Sequence, residues 1–140
     1  MLIKQLSVFI ENRAGRLEQV TETLKDHGIN ITSLSLADTS EYGMLRMIVS
    51  DPIIGRKALK DAGFSAMLTD VIAVKLSNGV GMLNHLLKVL DGVNIEYMYA
   101  LSTNENAALI LKISDNETAL KALQASGIEL LDDFAYTIND

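Results

Sequence analysis

The chain has 140 residues, of which 49% are apolar and 21% charged, the balance of an ordinary globular protein. Its 18 acidic and 12 basic residues leave a formal net charge of −6, which opposes non-specific binding to nucleic acid. Cysteine is absent, so disulfides, thiolate nucleophiles and thiolate metal sites are excluded.

The N-terminal Met1-Leu2-Ile3-Lys4-Gln5-Leu6 reads as a strand and lacks the layout of a signal peptide. No apolar run is long enough to cross a bilayer, so the cytoplasm is the expected compartment. Leu6, Val8 and Ile10 alternate along the first strand. Leu17, Val20, Thr21 and Leu24 then fall at helical spacing, and His27-Gly28 ends that helix. A second strand starts at Asn30. A turn near Asp38 to Glu41 leads to a third strand whose inward face is Leu45, Met47 and Val49. Asp51-Pro52 reads as an N-cap with Pro at the first helical position, and Gly63 closes the helix that follows.

The pattern then repeats. Asn78, Gly81 and Leu83 reproduce Asn12, Gly15 and Leu17 at an offset of 66. Gly92, Asn94 and Ile95 reproduce Gly28, Asn30 and Ile31 at an offset of 64, which holds through Leu109, Ser114, Asp115 and Gly127. A two-residue deletion in the second copy's first helix region accounts for the change. Its helical stripe is Leu83, Leu86, Leu87 and Leu90, its inward strand Leu109, Leu111 and Ile113, and its second turn Ser102 to Glu105.

Each copy therefore reads βαββαβ. The expected class is α+β: two ferredoxin-like repeats, with antiparallel sheets and helices on one face. The expected domains are residues 1–68 and 69–140. No linker separates them, so one strand over about Met67 to Leu76 has to end the first copy and begin the second. A unit of roughly 70 residues is marginal alone, so the copies are expected to support each other and to dimerise. Met44, Ile48, Ala108 and Ile110 face away from the helix side. An antiparallel sheet with one wet face is polar there, so that face is expected to be covered, by the other repeat or by a second chain.

The residues also carry a family resemblance. Val8-Phe9-Ile10-Glu11-Asn12-Arg13-Ala14-Gly15-Arg16-Leu17 resembles the first strand and loop of an ACT domain, and Gly28-Ile29-Asn30-Ile31 its entry to strand two. Leu76-Ser77-Asn78-Gly79-Val80-Gly81-Met82-Leu83 and Gly92-Val93-Asn94-Ile95 repeat both motifs. Ala14 and Val80 stand where that family usually has Pro. The resemblance implies a non-catalytic sensor that binds a free amino acid at interfaces between ACT units and regulates amino-acid metabolism. The small unit size and the apolar second face point to a homodimer through sheet faces or edges. The alternative is a regulatory subunit of a biosynthetic enzyme of the acetolactate-synthase type.

The implied ligand site comprises Asn12, Arg13, Ala14, Gly15, Arg16, Leu17, Asn30 and Ile31, with Asn78, Gly79, Val80, Gly81, Met82, Leu83, Asn94 and Ile95 in the second copy. A helix N-terminus suits the ligand carboxylate, and glycine permits close approach. Asn12 and Asn78 either offer carbonyls to an ammonium or cap their helices. Arg13 and Arg16 either clamp a second acidic group or lie solvated. Tyr97 and Tyr99, on one side of strand two with Ile95, either wall a side-chain pocket or pack.

Catalytic groupings are scarce. His27 and His85 have no partner at metal-ligand spacing, so neither a metal nor a cofactor is expected. Asp132 and Asp133 are adjacent and on a strand would face opposite ways. An acylphosphatase-like enzyme would use Arg13 and Asn12 on a phosphate, but that family's Gly-rich signature is missing.

Overall fold

The computed structural model describes residues 2–38, 41–102 and 105–132. The chain divides into two compact units between Thr69 and Asp70, with the extreme N-terminus grouped with the second. Parts of the two expected turns (residues 39–40 and 103–104) and Asp133 lie outside the described residues.

The first unit contains β1 (Ile3–Glu11), α1 (Arg16–Asp26), β2 (Ile31–Asp38), β3 (Tyr42–Val49), α2 (Pro52–Asp61) and the start of β4 (Ser65–Ser77). Its strand order is β2-β3-β1-β4, with β3 antiparallel to both β1 and β2. The second unit contains the rest of β4, then α3 (Met82–Val89), β5 (Ile95–Ser102), β6 (Asn106–Ile113), α4 (Asn116–Ala125) and β7 (Glu129–Leu130). Its order is β7-β4-β6-β5, antiparallel throughout. Each unit is thus a ferredoxin-like βαββαβ repeat, and β4 runs unbroken for 13 residues as a strand of both.

Period-2 alternation places Leu6, Val8 and Ile10 with Leu45, Met47 and Val49 on the helix side of the first sheet. There they pack with Val20, Leu24, Leu59 and Phe64. Ile72, Val74, Leu109, Leu111 and Ile113 form the equivalent face beneath Leu86, Leu90 and Leu123. The deletion shortens the first helix of the repeat, from 11 residues in α1 to 8 in α3. Asp51 and Asp115 cap α2 and α4 by accepting the Ile54 and Thr118 amides, each at 3.1 Å.

On the opposite sheet face Ile48, Ala108 and Ile110 are buried within the single chain, and Met44 is half-buried. Gln5 and Ser7 are buried there too, with the Gln5 amide donating to Ser7 Oγ at 3.0 Å.

A β-bulge interrupts both second strands, at Thr32 between Ile31 and Ser33 and at Glu96 between Ile95 and Tyr97. The extra residue reverses the alternation. Ile31 and Ile95 consequently pack against the helix-side cores, whereas Tyr97 pairs with Lys112 and Tyr99 with Ile110 on the other face. The expectation that Ile95 shares a side with Tyr97 and Tyr99 fails for this reason.

Candidate functional site

The two loops between first strand and first helix have the same backbone. The Asn12 amide donates to the Glu41 carbonyl at 2.9 Å, and Asn78 to Glu105 at 2.8 Å. Arg16 and Met82 close the next turn onto the carbonyls of Arg13 and Gly79, at 3.4 and 3.3 Å. Gly15 and Gly81 are the N-cap residues, with φ of 86° and 83°. That left-handed conformation is natural only to glycine. Neither helix has a side-chain cap, so Asn12 and Asn78 are not N-caps. Beyond the Arg16 and Met82 amides, the first-turn amides receive no side-chain cap.

Beside each loop lies a pocket. The first, about 100 Å³, is lined by Ile10, Glu11, Asn12, Arg13, Leu17, Leu36 and Gly43. The second, about 160 Å³, is lined by Leu76, Ser77, Asn78, Gly79, Met82, Leu83, Ala100, Ala107 and Leu109. Seven lining positions correspond one to one under the two repeat offsets, ending with Leu36 to Ala100 and Gly43 to Ala107.

These far-wall residues on strands two and three were missed from sequence, although the repeat offset would have paired them. Leu17 and Leu83 were expected in the helical core stripe. Both are exposed instead, at 39% and 48%, as are Leu87 and the pocket's Leu36.

Arg13 lines the first pocket, and its Nε lies 3.4 Å from a Glu11 carboxylate oxygen. Arg16 turns away: its guanidinium sits 4.4 Å over the Phe64 ring and donates to Gln19. It is not placed to clamp a ligand in that pocket. Ala14, Gly15, Val80 and Gly81 are exposed and shape the turn without lining either pocket.

Asn30 and Ile31 lie at the other end of β2 from the loop of their own repeat, because β2 runs from Ile31, opposite Val49, toward Gly43. They border an open depression with Thr21, Lys25, Gly28 and Ile29. The Asn30 amide donates to Ser50 Oγ, and the Asn94 side chain donates to Ser114 Oγ, both at 2.9 Å. Within a repeat these asparagines join strand two to the end of strand three and do not meet the loop pocket.

Ser114 Oγ donates to Glu96 at 3.1 Å, and Lys112 Nζ lies 3.2 Å from the same carboxylate oxygen. Those bonds, Lys112 foremost, hold the Glu96 carboxyl below its ordinary range. Among the described residues no His, Asp or Glu group is arranged to hold a metal. His27 Nδ1 lies 2.9 Å from the Thr23 carbonyl at the end of α1.

The fold is thus a duplicated ferredoxin-like unit with a glycine-capped helix and a loop pocket in each copy. A family model described as an ACT domain pair matches residues 1–139, and the chain belongs to that family. Among solved structures, protein BT0572 from Bacteroides thetaiotaomicron is similar, with a TM-score of 0.90 and 41% identity over 94% of this chain and 92% of that one. The ligand-free regulatory subunit of aspartate kinase from Thermus thermophilus shares the fold, at a TM-score of 0.64 and 20% identity over 89% and 93%. Aspartokinase III of E. coli, in complex with lysine and aspartate, shares it at 0.54 and 16% over 89% of this chain and 31% of that one. No curated protein matches the chain. No helix among the described residues is long and apolar enough to cross a membrane.

Proposed function

We propose that the chain is a non-catalytic sensor of a free amino acid with an apolar side chain, and that occupancy regulates amino-acid metabolism. The observation that carries this reading is the second pocket, where an apolar recess adjoins an uncapped helix N-terminus. Leu76, Leu83, Ala100 and Leu109 suit an aliphatic side chain. The amides at the start of α3 suit a carboxylate, and the Asn78 side chain can accept from an ammonium. At about 160 Å³ the pocket is smaller than the roughly 300 Å³ of drug-sized ligand sites, and in this reading an ACT unit of a second chain completes it. Binding there shifts an equilibrium between packings only by its differential affinity for them.

The test is thermal melting against each of the twenty amino acids. A ligand at about 100 times its Kd stabilises by about 2.7 kcal/mol. In a chain of this size that raises Tm by several degrees. If no amino acid raises Tm, the reading is wrong.

A second reading makes the chain a regulatory subunit of a separate biosynthetic enzyme. It is supported by the fold shared with the regulatory subunit of aspartate kinase. A stable complex with a catalytic subunit, whose activity then responds to the amino acid, distinguishes it from a free-standing sensor.

A further inference from the structure

The helix layer of the first repeat carries two charge stripes of opposite sign. Val20 and Leu24 are the buried residues of α1, and Gly55, Ala58 and Leu59 those of α2. At about 3.6 residues per turn, the outward face of α1 presents Glu18, Glu22, Lys25 and Asp26, predominantly acidic, and that of α2 presents Ile53, Arg56, Lys57, Lys60 and Asp61, predominantly basic. All nine are exposed, Ile53 at 70%. The two helices are in contact. They start from opposite ends of the sheet, because α1 follows β1 and α2 follows the antiparallel β3.

Lys57 is held by Asp61 at 2.9 Å, and Asp26 lies 3.9 Å from Lys25. Glu18, Glu22, Arg56 and Lys60 have no ion pair among the described residues. The basic stripe borders a cleft of about 350 Å³ that Asp61 and Leu68 also line. The second repeat lacks this polarity: on α4 Glu117 and Lys121 pair with each other at 3.3 Å, and the only Asp, Glu, Lys or Arg on α3 is Lys88.

Adjacent antiparallel stripes of opposite sign form a self-complementary surface. A two-fold axis parallel to the helices, lying between two such layers, sets α1 of one copy on α2 of the other and the reverse. The mainly acidic face of one copy then meets the mainly basic face of the other. We propose that two copies of the chain associate through this face. The occupant is a second copy because a foreign acidic partner would use only the basic stripe. The charges orient the pair, and Ile53 and Ile54 supply apolar area. The proposal is independent of amino-acid binding.

Sedimentation equilibrium tests it. The wild-type chain is expected to dimerise, more weakly as ionic strength rises from about 0.1 to about 1 M and the Debye length falls from about 10 to about 3 Å. Arg56→Glu with Lys60→Glu should raise the dimer Kd on the order of tenfold or more, since two symmetry-related contacts become repulsive. Glu18→Lys with Glu22→Lys should do the same. An equimolar mixture of the two double variants should form a heterodimer as tight as wild type, which also shows that both remain folded. A wild-type monomer at every concentration overturns the proposal and leaves the stripe to another partner. A dimer insensitive to either reversal, or a mixture that fails to associate, overturns it equally.

Discussion

At the scale of single residues, glycines with different duties stand two positions apart in the second loop. Gly81 has φ +83° with nothing within 4 Å of where a Cβ would be, so its constraint is backbone conformation alone. Gly79 has no positive φ, and a Cβ there would meet Met82 Cγ at an ordinary 3.8 Å. Gly81→Ala is therefore expected to lose about 1–2 kcal/mol, the strain of a left-handed L-residue. Gly79→Ala should stay within about 0.5 kcal/mol of wild type. Urea unfolding with unchanged m-values separates the two. Equal stabilities would mean that the left-handed turn is not needed in solution. The same distinction marks how far the loop was legible. The repeated Asn-x-x-Gly spacing disclosed the turn and the helix start. It did not show that glycine itself would be the N-cap, because capping is ordinarily a side-chain property of Ser, Thr, Asp and Asn.

At the scale of elements, hydrophobic periodicity told strands from helices and inward from outward faces. It went astray where an element ends or slips. Leu17 and Leu83 continue a helical stripe, yet they sit at the first turn, beyond the full cover of the sheet, and become pocket walls. The bulges in β2 and β5 were illegible because one inserted residue reverses facing without altering composition. The bulge in β5 also creates a charged cluster that β2 lacks. Glu96 accepts from Lys112 and Ser114, whereas Thr32, its counterpart, donates its hydroxyl to the Ile48 carbonyl at 2.9 Å.

The folded Glu96 carboxyl titrates below its ordinary value of 4.5, chiefly through Lys112. A depressed carboxyl stabilises the fold above the unfolded value, and that contribution is lost as pH falls through the folded one. Glu96→Gln should therefore lower the urea midpoint at neutral pH. The gap to wild type should close as pH drops from the carboxylate range through the folded value. The Thr32→Val gap should stay flat over the same range. A Glu96→Gln deficit that persists unchanged in acid would show that packing, not charge, holds the bulge.

At the scale of the whole molecule, duplication has kept the scaffold and let the pockets diverge. Both copies retain the loop amide bonds, the left-handed glycine and the bulge. The far wall is where they part. In the first copy Leu36 Cδ1 lies 3.2 Å from the position a Cβ on Gly43 would take, so leucine fills the space that glycine leaves. In the second copy Ala100 and Ala107 hold the two positions and leave the recess open. The volumes follow, about 100 Å³ against about 160 Å³. Under the proposed function, the larger recess is the one expected to take the aliphatic side chain. Isothermal titration of the amino acid that raises Tm is therefore expected to give one ligand per chain. Ala100→Leu should abolish that binding with little loss of stability, because the added side chain enters an open recess and not the packed core. Leu36→Ala should raise the stoichiometry to two, with the half-exposed leucine removed and Gly43 still opposite. Two equivalent sites in the wild-type chain would show that ligand entry is governed by the loop amides common to both copies. The far wall, for all its divergence, would then have no part in selection.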